Sequence, residues 1–262
     1  MTTIEAQVEQ FHRDGFLVLP QILSPAEVAA LRAGVERAFA VPNEESALYG
    51  EGMQRIWRPK MFEQGPEFEA LIDHPKAVDL IEAILGPDCH LIANSALRTG
   101  PGDGISFWHA DEAVRFPRPK GVPLDPRIPV PCFVANFNYY LCDVDEELGP
   151  TQFIPGSHRS GRGPEKEDMD ADGNPSFEGM GVFSAIGSEG TAVLWHDQTW
   201  HRGAPNRSQD RTRWVQQAPY AKRYIAQRFY PFVNYHMPEA ILERANPRRK
   251  RLLGLHGIGA YG

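Results

Sequence analysis

Two stretches of this sequence carry side chains whose types and spacing allow joint chemistry. The first is His109-Ala110-Asp111, inside "FWHAD". Residues two apart in a strand project from one face, so this imidazole and carboxylate can grip a metal ion from one side. The second is "LWHDQTWHRGAPNRSQDRTRW", residues 194–214, which offers His196 and His201, then Asn206, Arg211 and Arg213. One of these histidines would complete a set of two imidazoles and a carboxylate. Such a facial set leaves coordination positions open and suits non-haem Fe(II). A buried arginine further on suits bidentate pairing with a carboxylate co-substrate better than lysine would. Spacing alone leaves His196 and His201 both open. An isolated H-x-D also fits two polar residues at a strand end.

The elements that must position these groups are legible in outline. "SPAEVAALRAGVERAFA" opens with Ser24 as N-cap, Pro25 at the first helical position and Glu27 three after the cap, a capping box. Val28, Leu31, Val35 and Phe39 mark one face of that helix. Before it, Phe16-Leu17-Val18-Leu19 reads as a short strand ended by Pro20. A second helix is expected over about Pro75 to Leu85, stopped by Gly86-Pro87. From about residue 89 the texture changes to short apolar runs split by Gly, Pro, Asp and Asn, among them "HLIANSALRT", "PCFVANFNYYL", "TQFIPGS", "TAVLWHD" and "TRWVQQAPY". Many strands after a few helices imply an α+β, mainly β, fold. A double-sheet jelly roll with supporting N-terminal helices would use this many strands and close around a pocket.

Bulk properties narrow the function classes. The chain has 262 residues, 42% of them apolar and 14 of them Phe, enough for a substantial core. A net charge of −7 argues against a nucleic-acid partner, which would call for a basic face. The one basic run, Arg248-Arg249-Lys250-Arg251, is expected to be a solvated turn, with an anion contact as its alternative. Three cysteines, Cys89, Cys132 and Cys142, match no zinc spacing. The N-terminus lacks the charge and apolar pattern of a signal peptide, and no window reaches membrane-span length, so a cytoplasmic location away from membranes is expected.

Four blocks in order give the chain a family resemblance. "FHRDGFLVLPQILSPAEVAALR", "WHADE", "LGPTQFIPGSHRSG" and "WHRGAPNRSQDRTRW" resemble the phytanoyl-CoA dioxygenase family of Fe(II)/2-oxoglutarate oxygenases. The resemblance covers most of the chain. It implies a double-stranded β-helix, a jelly-roll, cupin-like form, as one domain over 1–262. Residues 1–88 would be mostly helical support, 89–225 the jelly-roll core and 226–262 a C-terminal segment. It implies His109, Asp111 and His201 as iron ligands, with His201 chosen because the family has Asn five residues after the ligand, where Asn206 stands. It implies Arg213 as the anchor for the far carboxylate of 2-oxoglutarate, with Arg211 as the fallback, because the spacing here departs by one residue. Asn138 would touch the co-substrate, and His158 in "PGSH" would close a turn. The implied activity uses Fe(II), 2-oxoglutarate and dioxygen to hydroxylate or otherwise oxidise a small organic molecule, releasing succinate and carbon dioxide. A carboxylate at Asp111 argues against halogenation, for which related enzymes carry a small residue there. The other classes weighed are a non-catalytic small-molecule binder on the same frame and a zinc hydrolase using the same triad.

The substrate pocket is the least legible part. Trp108, Phe153, Trp195 and Trp200 are its candidate lining, each with plain core packing as its alternative. The aromatic tail "RYIAQRFYPFVNY" could shape the pocket or a subunit contact. The polar insertion at 159–181 is a lid candidate, since long loops on rigid scaffolds often carry function. Its Asp168-x-Asp170-x-Asp172-Gly173 resembles the start of a calcium loop, but Gly179 stands where the closing Glu belongs, and a solvated acidic loop is expected.

Overall fold

The computed structural model describes residues 3–48, 50, 52–111, 122, 125, 127–229, 231 and 234–257. Its N-terminal part is built from helices with well-formed ends. Helix α1 (Ile4–Asp14) is capped by Thr3 and stops at Gly15, whose φ of 83° belongs to the left-handed region. A Cβ there would lie 2.5 Å from both His158 Nδ1 and Thr199 Oγ1, so the turn into strand β1 (Phe16–Leu19) requires glycine. Helix α2 (Pro25–Phe39) begins with the reciprocal Ser24–Glu27 box read from the sequence. Short helices α3 (Glu44–Ala47) and α4 (Met53–Ile56) lead into strand β2 (Trp57–Arg58). Helices α5 (Pro66–Ile72) and α6 (Pro75–Leu85) complete the support.

The strands follow as β3 (His90–Leu91), β4 (Ser95–Thr99), β5 (Val134–Tyr140), β6 (Thr151–Phe153), β7 (Phe183–Ala185), β8 (Ala192–His196), β9 (His201–Gly203), β10 (Arg213–Gln217) and β11 (Tyr220–Ala221). Two expected strands are each broken in two. "HLIANSALRT" splits into β3 and β4, and "TRWVQQAPY" splits into β10 and β11 around Ala218-Pro219, because proline has no N–H for a central ladder. The large sheet runs β1-β8-β5-β10-β4-β2, with β11 joining β5 to β3, and the small sheet runs β7-β6-β9. All named pairs are antiparallel.

Strand periodicity sorts the core. On β5, Phe137 and Tyr139 face the helices, while Tyr140 faces the small sheet. On β8, Leu194 faces the helices, and Val193 and Trp195 face inward. Packing thus divides into a helix-on-sheet core around Phe11, Leu31, Phe68 and Ile81 and a sheet-on-sheet core around Phe16, Phe153 and Val215. This is the expected jelly roll with helices against its large sheet.

The C-terminal part corrects two expectations. Helices α7 (Glu239–Arg244) and α8 (Pro247–Leu252) follow the strands, and the basic run lies in α8. It is neither a solvated turn nor an anion site. Arg248 pairs with Asp79 and Glu82, Arg249 with Asp73, and Arg251 with Glu82, so the run fastens α8 to α6 and to the turn before it. In the aromatic tail, Phe229 packs edge-on to Phe62 in the core and Tyr235 bonds Glu63, so neither shapes a pocket. Tyr230, Phe232 and Val233 of that tail lie outside the described residues.

Candidate active site

His109 and Asp111 lie just beyond β4, and His201 opens β9. His109 and His201 exchange both backbone hydrogen bonds, at 3.0 and 2.8 Å, so the two imidazoles rise side by side from one bridge. Asp111 is set by its N–H donating to Asp197 O at 2.8 Å. One atom from each of the three side chains lies within 4.8 Å of the others. Asp111 Oδ1 is 3.9 Å from His109 Nε2 and 3.8 Å from His201 Nε2. These separations fit donor atoms arranged around a common ion.

The tautomers agree with that use. His109 Nδ1–H donates to Phe107 O at 3.0 Å, and His201 Nδ1–H donates to Thr199 O at 2.8 Å. Each Nε2 therefore presents a lone pair towards Asp111. Burial, reinforced by neighbouring His201, pulls the His109 pKa below its ordinary value, which favours the neutral, ligating form. Asn136 of β5 donates Nδ2–H to Asp111 Oδ2 at 2.7 Å, leaving Oδ1 for the ion. His196 is separated from this set. It is wholly buried on the opposite face of β8, stacked on Phe11 and beside His158.

A cavity of about 130 Å³ adjoins the histidines. Its walls include Arg213, Asn138, Thr99, Thr151 and Trp195, along with His109 and His201. Arg213 is 6% exposed and has only a long 3.4 Å contact from Nη2 to Thr99 Oγ1. Its Nε and Nη1 donors are buried with no partner among the described residues. Burial pulls its pKa down, so the site holds a cation in need of an anion. Asn138 has a buried Oδ1 with no partner among the described residues, also at the cavity. A carboxylate would satisfy the free arginine donors, and the donor set of the triad fits a divalent ion of the first transition row.

Arg211 stands elsewhere. It lies on the surface, bonded to Asp145 at 2.8 Å and to Glu147 at 2.7 Å, and the Asp145 bond raises its pKa. Arg213 is carried into the cavity by a stapled turn. Asn206 Nδ2 donates to Thr99 O and Arg211 O, and Asn206 Oδ1 accepts from Ser208 N and Oγ.

Of the four aromatic candidates, Trp195 lines the cavity. Phe153 and Trp200 are fully buried and pack in the core, with Trp200 Nε1 donating to Arg162 O. Trp108 packs beside Trp200 and lies under the Arg202 guanidinium, 4.6 Å from its ring centre, away from the cavity lining. The 159–181 segment is likewise held on the outside. Arg162 grips Asp168 through two bonds, Arg159 bonds Glu178, and Phe177 packs edge-on to Trp200. None of its residues lines the cavity. Asp170 uses Oδ1 to accept from Asp172 N and Asn174 N, making a turn where a calcium loop would need a ligand. His158 is buried and structural, but the bond it makes differs from the expected turn closure: Nε2–H donates to His12 O at 3.1 Å and ties the Ser157–Ser160 turn to the end of α1.

Sequence reasoning missed Asn136, Thr99, Thr151, Met53, Ile56, Ile105 and Gln217. Asn136 could have been found, because it precedes Asn138 by the strand period of two. Met53 and Ile56 sit on a one-turn helix, too short to show a pattern.

Comparison with known proteins agrees with this architecture. A family model described as "Phytanoyl-CoA dioxygenase (PhyH)" matches residues 11–214. The chain is 24% identical to "Dioxygenase trt7" of Aspergillus terreus, over 97% of this chain and 84% of that protein. It is 30% identical to an ectoine dioxygenase of Bordetella parapertussis, over 58% of this chain and 49% of that one. Two solved structures share the fold. HygX from Streptomyces hygroscopicus, with nickel and 2-oxoglutarate bound, has a TM-score of 0.63 at 18% identity, covering 87% of this chain and 89% of that chain. The epimerase SnoN, in complex with Fe3+, alpha ketoglutarate and nogalamycin RO, has a TM-score of 0.62 at 21% identity, covering 89% and 90%.

Proposed function

The chain belongs to the phytanoyl-CoA dioxygenase (PhyH) family, and on that premise we propose that it is a non-haem Fe(II)/2-oxoglutarate-dependent oxygenase that hydroxylates a small organic molecule. The observation that carries this reading is the buried Arg213, with two donors that have no partner among the described residues, in the cavity beside three convergent ligand side chains. In this reading His109, Asp111 and His201 hold the iron, and Arg213 holds the far carboxylate of 2-oxoglutarate. Asn138 lies between Asn136, which bonds Asp111, and Tyr140, which neighbours Arg213, and this supports reading it as a co-substrate contact midway along β5. When bound, iron, 2-oxoglutarate and dioxygen supply the oxidising chemistry, with succinate and carbon dioxide as co-products.

The protein's own part is positioning and exclusion of water. Phe107 O and Thr199 O fix the two imidazoles through their Nδ1–H groups, and Asn136 fixes the carboxylate. Trp195, Leu97 and Val215 keep the cavity wall apolar between the polar ends. A zinc hydrolase at the same triad would need a general base. The one other carboxylate among the described lining residues, Asp103, is already held by Arg55 at 2.7 Å.

The test is a comparison of two arginines. Arg213→Ala is expected to raise the 2-oxoglutarate KM roughly a hundredfold, as loss of charge-assisted bonds worth about 3 kcal/mol. Arg211→Ala should stay within about threefold of wild type, since exposed ion pairs contribute little. The reverse ranking would move the anchor and sink this assignment.

A further inference from the structure

The strand register sets one end of the cavity at the carboxylate anchor Arg213 and the other at Gln217, one strand over from Asn138, the residue proposed to touch the co-substrate. Gln217 of β10 is paired with Asn138 of β5 and with Ser95 of β4. Directly opposed residues in antiparallel strands share a face, so these three form one polar row across the large sheet. The next row is Leu97, Val215 and Tyr140, and beyond it Thr99 opposes Arg213. Gln217 is four residues along β10 from Arg213, roughly 13 Å at strand rise. It therefore lies at the far end from the carboxylate anchor, and one strand over from Asn138 towards β4, β2 and α4.

Both Gln217 and the face of α4 line the cavity. Met53 and Ile56 are three apart on one turn, and both are lining residues, as is Ile105. Ser95 Oγ donates to Gln217 Oε1 at 3.1 Å, which orients the carboxamide and leaves its NH2 group for a ligand. Charge is accounted for elsewhere. Of the charged residues in the described lining, Arg213 sits at the anchor end and Asp103 is bonded by Arg55 and by Gly100 N.

We infer that Gln217, oriented by Ser95, is a specificity-determining residue that donates a hydrogen bond to an uncharged oxygen of a substrate whose apolar body packs on Met53 and Ile56. The inference rests on the oxygenase reading of the site, which makes this compartment the one for substrate. It assigns the substrate class as a neutral, largely apolar molecule bearing a carbonyl, hydroxyl or ether oxygen.

The test uses probes of one shape and different polarity: α-tetralone, tetralin, 2-aminotetralin as a cation and tetralin-2-carboxylate as an anion. Binding is measured by calorimetry on the Mn(II)-loaded protein, with and without saturating 2-oxoglutarate. With 2-oxoglutarate present, the ketone should bind roughly three- to tenfold tighter than tetralin, the worth of one neutral hydrogen bond. Gln217→Leu should erase that preference and Ser95→Ala should reduce it, while Met53→Ser weakens ketone and hydrocarbon alike. An unchanged preference in Gln217→Leu, or tightest binding of either charged probe, overturns the inference. Should Gln217→Leu fail to fold, an unchanged preference in Ser95→Ala does the same. Intact 2-oxoglutarate binding without the ketone preference would defeat this inference alone. No 2-oxoglutarate binding, with the preference and its Gln217 dependence retained, would defeat the oxygenase reading instead.

Discussion

At the residue scale, the site is an exercise in satisfying buried polar groups. Every ligand side chain has its non-ligating atom occupied by the protein, whereas Arg213 has donors left over. Asn136 is the clearest supporting residue. Asn136→Ala should weaken metal affinity about 10- to 100-fold, the usual range for losing a group that orients a ligand, without unfolding the chain. A metal titration followed by circular dichroism checks both halves, and wild-type affinity would show that Asp111 needs no orientation. His109 and Asp111 were legible because residues two apart in extended chain share a face, although the expected strand is reduced to a single bridge at His109. His201 and His196 were not separable by spacing, since five residues and an intervening turn hide which one faces inward. The Arg211–Arg213 choice was hidden for a different reason. What occupies Arg211 is a pair of carboxylates 66 and 64 positions away, a contact no local pattern reveals.

At the element scale, the turn between β9 and β10 transmits the fold to the site. The buried Asn206 side chain makes four hydrogen bonds, one to Thr99 O of β4 and three within this turn. Asn206→Ala strands several buried groups and should cost about 3 kcal/mol in urea unfolding. It should also raise the 2-oxoglutarate KM, because Arg213 follows directly. Stability lost with an unchanged KM would mean that β10 alone sets Arg213. The helices were readable because capping is local, as with Ser24 and Glu27. The breaks that separate β3 from β4 and β10 from β11 were not, because a run of apolar residues does not reveal which neighbours its backbone will find. Aromatic residues misled for a related reason: Phe153 and Trp200 sit near the site but spend their surface on the core.

At the scale of the whole molecule, buried histidines tie stability to pH. His158 is held well below its ordinary pKa by burial and by His196, and burial also lowers His12, His90 and His256. A histidine with a depressed folded pKa takes up its proton more readily when unfolded. Stability is therefore full above the unfolded value near 6.5 and falls as pH drops below it, by about 1.4 kcal/mol per pH unit for a group as buried as His158. The melting temperature of metal-free protein should fall between pH 7 and pH 5, and His158→Gln should flatten that slope. An equal slope in the variant would assign the effect to other groups. The surface charge behaves differently. The net −7 hides a local cluster in which Arg248, Arg249 and Arg251 meet Asp73, Asp79 and Glu82, and composition cannot show that such a run is spent within the molecule. The account as a whole turns on a cavity that joins three candidate metal ligands to one arginine whose Nε and Nη1 have no partner among the described residues. The most direct measurement is anaerobic: Fe(II) is added to the protein, then 2-oxoglutarate, and the visible spectrum is recorded. A weak new charge-transfer band is predicted, from keto-acid chelation at the open iron positions, and it should require far more 2-oxoglutarate in Arg213→Ala. Iron bound with no such band at saturating keto acid would contradict the account.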